Sequence, residues 1–172
     1  MAARCFYFVE DNKIIEQWVD INWNEGFTKE AKQSYIRQAE ELALDKYQIV
    51  IQDVTTASPN ERARMLSPYF VKCSPTETVE EAWPKFKKAA GRFVPGLFDF
   101  VYLSCILRDE YEYILSIDGF IDIFHNPEKK MNTQAKSLCV LQLLLKNDKT
   151  ELFNDIDSFV AWYRTVEIEV RY

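Results

Sequence analysis

Residues 120–137 read FIDIFHNPEKKMNTQAKS, and the rest of the chain is organised around them. The stretch holds the only histidine, His125, an Asn126-Pro127 turn, the pair Lys129-Lys130 and a helix start at Asn132 or Thr133. It is too varied for a linker and too polar for a core. On its amino side the β-branched and aromatic run Tyr111–Ile117 predicts a strand. On its carboxyl side the apolar run from Thr133 to Lys146 predicts a mostly buried helix. A strand, a polar loop and a buried helix in succession make this half of a ligand site in a mixed fold.

Working outward, residues 5–10 (CFYFVE) and 13–23 (KIIEQWVDINW) predict a β-hairpin with Asp11-Asn12 as its turn. Thr28 can cap a helix through about Asp45, with Ala31, Tyr35, Ala39 and Leu42 at helical spacing on one face. Residues 47–54 (YQIVIQDV) predict a strand. Ser58-Pro59-Asn60-Glu61 reads as a helix start, with Ser58 as cap, Pro59 at the first position and Glu61 completing a capping box. The helix it opens is short and stops before Pro68. Thr78-Val79-Glu80-Glu81 is a second capping box, opening a helix to about Ala90 that Gly91 ends. Pro84 inside it predicts a kink or a broken first turn. Residues 95–108 (PGLFDFVYLSCILR) are too apolar for a surface helix and are placed as a buried central one. A last helix over about 155–164 and an alternating edge strand over 166–171 complete the chain. The class is α+β: residues 1–172 as a single compact domain, mainly helical, with a small antiparallel sheet or hairpin.

The bulk numbers bound the function. A chain of 172 residues with 48% apolar and 15% aromatic residues can bury a sizeable core. The net charge of -6 argues against strong non-specific nucleic-acid binding, although it leaves room for a local contact. Cys5, Cys73, Cys105 and Cys139 form no CxxC pair and, with one histidine, no zinc pattern. Three lie in apolar surroundings and read as reduced core thiols. The start MAARCFYF lacks a signal peptide's apolar region, and no run approaches the ~20 apolar residues of a membrane span. The expectation is a soluble cytoplasmic protein without cofactor or metal.

Glu80 falls in the first turn of its helix, where the helix dipole favours a carboxylate. That placement is common for purely structural acids, and Glu81 is the better capping-box acid. His125 reads as an exposed or hydrogen-bonded loop residue, with general acid–base work as the sharper alternative. Lys129 and Lys130 before a helix N-terminus form a plausible phosphate site, although a solvated loop is the commoner outcome. Asp122 can pair with either lysine or bind a ligand hydroxyl. The chain has four glycines, no Gly-rich phosphate loop and no nucleophile elbow.

In order, the FYF strand, WNEGFTKEAKQSYI, SPNERARMLSPYF, TVEEAWPKFK, PGLFDFVYLSCIL and FIDIFHNPEKKMNTQAKS resemble the NADAR antitoxins that accompany DarT-type DNA ADP-ribosyltransferases. The resemblance covers most of the chain and is strongest over Phe120–Ser137 and Thr78–Trp83. It implies a NADAR/YbiA-like fold and an ADP-ribosyl glycohydrolase that removes ADP-ribose from a nucleobase, guanine in DNA for the DarT-linked members. It implies a modified-DNA substrate and a DarT-type toxin as partner, in a bacterial toxin–antitoxin or phage anti-defence setting. The family's V-E-x-A-F glutamate corresponds to Glu80, implied as catalytic. Its N-P-x-K-S-x-N run corresponds to Asn126, Pro127, Lys129, Lys130 and Asn132. Its F-T-D-I and F-Y-D-W aspartates correspond to Asp122 and Asp99, all implied as ligand-binding. Trp83, Phe98 or Phe124 could stack on adenine or the modified base, although aromatic residues more often pack in the core.

Three departures stand out. Pro84 and Lys85 follow the aromatic where glutamine and its neighbour are usual. Pro68-Tyr69-Phe70 replaces Ala-Phe-Asn. The segment between the Glu80 helix and Pro95 lacks the Gly-Gly-Pro and Asp-x-Arg-Leu elements. Two readings stay open: a streamlined hydrolase, or a relative that binds ADP-ribose, ADP-ribosylated DNA or the toxin without cleaving.

Overall fold

The computed structural model describes residues 1–23, 26–126 and 133–172. Its centre is a hairpin, β1 (Ala2–Glu10) and β2 (Lys13–Ile21), with Glu10 opposite Lys13. Asp11 and Asn12 both take positive φ, 50° and 60°, the twist a two-residue hairpin turn needs. Period-two alternation then splits the hairpin's side chains between two cores. Phe6, Phe8, Ile15, Val19 and Ile21 face one way and meet Tyr35, Ile36, Ala39 and Ala43 of α1 (Lys29–Tyr47). Cys5, Tyr7 and Ile14 face the other way and meet the remaining helices.

The sheet grows on both sides of the hairpin, in the order β3-β4-β1-β2-β5. β3 is Ile51–Asp53, β4 is Gly119–Ile121 and β5 is Ile168–Arg171. β4 pairs antiparallel with β1, whereas β3–β4 and β2–β5 are parallel. The sheet is therefore five-stranded and mixed, larger than the small antiparallel one the sequence implied. The residue at 119 must be glycine: a Cβ there would meet the Tyr7 carbonyl oxygen at 2.6 Å. The edge strand β5 is held by Lys13–Glu169 at 2.7 Å and Arg171–Glu10 at 2.5 Å. Charged side chains of this kind protect an exposed edge.

On the second face lie α2 (Glu61–Arg64), α3 (Val79–Ala90), α4 (Leu97–Ser104), α5 (Tyr111–Ser116), α6 (Gln134–Lys146) and α7 (Ile156–Tyr163). α6 and α4 are the buried central helices, as their apolar runs predict. Among the described residues no helix is long and apolar enough to cross a membrane.

Three elements differ from the sequence reading. The run from Tyr111 is a helix, not a strand. Ile114 is buried, and Gln142 of α6 donates to the Ile114 and Ile117 carbonyls at 2.9 and 2.8 Å. Those bonds satisfy the end of a short helix and override the β preference of Tyr and Ile. The cap of α2 is Asn60, which accepts from the Ala63 N–H at 3.2 Å. Ser58 is instead drawn into a turn, its N–H donating to the Thr55 carbonyl at 3.2 Å. The strand expected over 47–54 shrinks to three residues because α1 runs on to Tyr47 and ends in a left-handed Gln48.

Candidate functional site

The first half of the site is built by a helix cap. Thr78 Oγ1 accepts from the Glu81 N–H at 3.4 Å and starts α3 as the capping box predicts. The Val79 and Glu80 N–H groups donate to the carbonyls of Val71 (2.9 Å) and Pro68 (3.0 Å). These bonds tie the helix start to the loop at residues 68–71. The Glu80 side chain stays exposed in the first turn, where the helix dipole stabilises its negative charge. α3 continues through Pro84 to Ala90 and closes on Gly91 at φ 68°. Pro84 does remove the N–H that would reach the Glu80 carbonyl.

Tyr69, exposed on the loop that holds α3, lies beside the Glu80 carboxylate. The charge of Glu80 pushes the Tyr69 phenol pKa up, and desolvation, a hydrogen bond to Glu80 and the charge of Asp122 add to the shift. The same phenol therefore feels both Glu80 and Asp122, two acids 42 positions apart in the chain.

The second half is built by long-range bonds. Asp122 follows β4 at the carboxyl end of the parallel β3–β4 pair, the end of an α/β sheet where ligands commonly bind. Its Oδ1 accepts from the Phe124 N–H at 3.2 Å, and its carbonyl accepts from the His125 N–H at 3.0 Å, folding residues 122–125 into a tight turn. Beneath it lies Asp53, fully buried at the end of β3. Asp53 accepts from the Ile123 N–H at 3.0 Å and from the Thr55 N–H at 3.2 Å and hydroxyl. Burial outweighs these donors and pushes the Asp53 pKa up to about 7, with the charge of Asp122 adding to the rise. From the other side Arg4 Nε donates to the Ile123 carbonyl at 2.8 Å, and its guanidinium lies 4.5 Å over the Trp23 ring. Burial lowers the Arg4 pKa, while Asp122 raises it.

The other residues the sequence singled out fall in different places. Trp83 is half-buried and meets Phe98 edge-on, ring centres 5.3 Å apart. Phe124 belongs to a separate aromatic cluster, edge-on to Trp23 at 6.2 Å and under Lys32 at 5.6 Å. Trp23 in turn stacks on Tyr35 at 4.1 Å. Asp99 is buried in α4 and accepts from Ser137 Oγ of α6 at 2.7 Å; burial raises its pKa. His125 is buried, not on the surface. Asn126 is half-buried at the end of the turn. Lys129, Lys130 and Asn132 lie outside the described residues. The cap of α6 is Thr133, which accepts from the Ala135 N–H at 3.3 Å.

Sequence reasoning missed Tyr69, Arg4 and Asp53. For Asp53 the signal was an acid inside the apolar run IVIQDV; for Tyr69 it was an aromatic in a Pro-containing loop. Neither reveals its partner. All four cysteines are free thiols, with Cys5 and Cys139 buried and Cys73 and Cys105 half-buried. Among the described residues no three His, Cys, Asp or Glu side chains come together as a metal would require. Clefts of about 400, 450 and 540 Å³ lie elsewhere, beside Gln48 and Arg171, along the Phe86 side of α3, and around Leu107 and Phe153.

A family model described as a DarT1-associated NADAR antitoxin matches residues 85–171, just over half of the chain. The matched span takes in β4, the Asp122 turn and α6, and begins five residues after Glu80. No curated protein shows significant similarity to the chain. The chain belongs to the family of DarT1-associated NADAR antitoxins.

Proposed function

We propose that this antitoxin is an ADP-ribosyl glycohydrolase that removes ADP-ribose from a nucleobase in DNA, guanine first, and so reverses the modification made by a DarT-type toxin. The observation that carries the reading is the exposed Glu80 carboxylate in the first turn of α3, hydrogen-bonded to Tyr69, a phenol that also feels the charge of Asp122. The VEEAW motif, with its resemblance to the family's V-E-x-A-F, supports the same residue.

Breaking the bond between ribose C1 and a base nitrogen builds positive charge on the sugar, and a carboxylate close by stabilises it. In the proposed step water attacks C1 while Glu80 takes one of its protons. The C1–N bond breaks with its electron pair going to the base. The proton on Glu80 then returns to the base or to solvent. Tyr69 would be a positioning residue: its phenol hydrogen-bonds the Glu80 carboxylate and would hold it in place. Asp122 and Asn126 would orient ribose hydroxyls, and Lys129, Lys130 and the start of α6 near Asn132 would hold the pyrophosphate. Trp83 and Phe124 would border the base and adenine. Asp99, bonded to Ser137, would support the site through the packing of α4 on α6.

The test is release of free ADP-ribose from ADP-ribosylated guanosine and thymidine DNA. The wild-type protein should release it and Glu80→Gln should not, with equal thermal stability of the two. Equal turnover by both would remove Glu80 from the mechanism. Calorimetric binding of ADP-ribose without product from the wild-type protein would reduce the assignment to a binding module.

A further inference from the structure

We propose that the outer edge of β5 pairs antiparallel with the β5 edge of a second copy of this chain, joining two sheets across a two-fold axis. The pairing is independent of the glycohydrolase reading.

β5 ends the sheet, and no strand lies beyond it among the described residues. The Ile14 N–H donates to the Glu167 carbonyl at 3.0 Å, and Ile14 stands opposite Ile168 in the parallel β2–β5 register. In such a ladder Glu167, Glu169 and Arg171 turn their backbone groups towards β2. The N–H and C=O groups of Ile168, Val170 and Tyr172 therefore point outward, and an open strand edge of this kind templates another strand. The opposite edge of the sheet differs: β3 has three residues and packs against α1 and α2.

The two faces of β5 have different chemistry. Glu169 and Arg171 lie on the face of Ile15 and Gln17, where Lys13 and Glu10 pair with them. Ile168 and Val170 lie on the face of Ile14 and Glu16 and are 43% and 45% exposed. Next to them Tyr172 stacks on Trp18, ring centres 6.1 Å apart. The helical layer that buries Ile14 leaves this apolar strip open.

Antiparallel pairing of β5 with itself, with Val170 on the axis, suits both faces at once. Glu169 then stands opposite Arg171 of the second copy, and Ile168 opposite its Tyr172. The symmetry repeats each pair, and Val170 meets its own counterpart. Opposite charges and aromatic–β-branched pairs are favourable cross-strand neighbours. The outward N–H and C=O groups of Ile168, Val170 and Tyr172 also face one another. Moving the axis to Glu169 would instead set two glutamates directly opposite, which is unfavourable. The charges that shield this edge therefore act against a strand of another pattern and match a second copy. An isologous contact of this kind closes after two chains.

The test is sedimentation equilibrium of the full chain over a series of concentrations. The mass should rise from 20.3 kDa towards twice that. Val170→Lys places like charges on the axis and should weaken the dimer roughly tenfold or more. Val170→Pro removes an outward N–H, which an edge strand tolerates, and should give a monomer with unchanged circular dichroism. Leu107→Lys, an equal charge gain at an exposed apolar residue elsewhere, should leave the dimer intact. The register has its own readout, the masses of linked peptides after treatment with oxidised glutathione. Val170→Cys should join two copies through position 170, whereas Glu169→Cys should not join them through position 169. A monomer at every concentration, a dimer that both Val170 variants leave unchanged, or linkage at position 169 in place of 170 would overturn the pairing.

Discussion

The two halves of the candidate site are held in opposite ways. Glu80 is placed by contacts close in sequence: the Thr78 cap and backbone bonds to Pro68 and Val71. Asp122 is placed from far away, by Asp53 bonding Ile123 across 70 positions and Arg4 bonding it across 119. One half is a helix start with an exposed acid; the other is a turn fastened to a buried acid. The exposed Glu80 side chain can change without disturbing the packing, whereas the loss of buried Asp53 leaves the donors it satisfies without an acceptor.

The largest expected contrast sets Glu80→Gln against Asp53→Ala. The first should lower ADP-ribose release by about three orders of magnitude with no change in melting temperature. The second should strip two buried N–H groups and a hydroxyl of their acceptor. The cost is on the order of 3 kcal/mol, read as a fall in denaturant midpoint. If Asp53→Ala melts like wild type, the turn at 122–125 does not depend on its anchor and the contrast fails.

The pH dependence sharpens the same point. The folded pKa of Asp53, about 7, lies above its ordinary value of 3.8. Between these values the folded state keeps a proton that the unfolded state has released, so stability falls as pH rises from about 4 to 7. Below that window both states are protonated and the penalty vanishes; above it the full penalty remains. Buried Asp99, also raised, acts in the same direction. The slope should amount to a few kcal/mol across the window, and Asp53→Asn, which cannot ionise, should flatten much of it. Denaturant midpoints at several pH values check this, and an Asp53→Asn profile as steep as wild type would assign the slope to other groups.

Smaller effects belong to the local half. Thr78→Ala should cost about 1 kcal/mol through the lost cap, a drop of roughly 2–4 °C in melting temperature. Tyr69→Phe should leave stability unchanged, lower turnover several-fold, and shift the acidic limb of the pH–rate profile. An unmoved profile would leave Tyr69 with no part in positioning Glu80.

The pattern of what could be read follows the range of the interactions. The Asp11-Asn12 turn, the Thr28 and Thr78 caps, the Gly91 stop and the buried runs of α4 and α6 were all legible, because each depends on residues within one or two turns. The helix at Tyr111–Ser116 was not, because Gln142 of α6 decides it. The three-residue β4 was not, because it exists only between β3 and β1, strands that lie far off in sequence. Among the candidate residues, Glu80 and Asp122 were named from motifs, but Tyr69 was not, since nothing in SPYF shows which acid it hydrogen-bonds.

By itself, then, the sequence determined the local geometry: where helices start and stop, which faces turn inward, and that an acid stands in the first turn of α3. Only the tertiary structure decided the five-stranded mixed order, the burial of Asp53 and His125, and the placing of Tyr69 beside Glu80. The physical reason is that a cap or a turn is satisfied by atoms a few bonds away. A buried carboxylate and a central strand are satisfied only by partners that the completed fold brings to them.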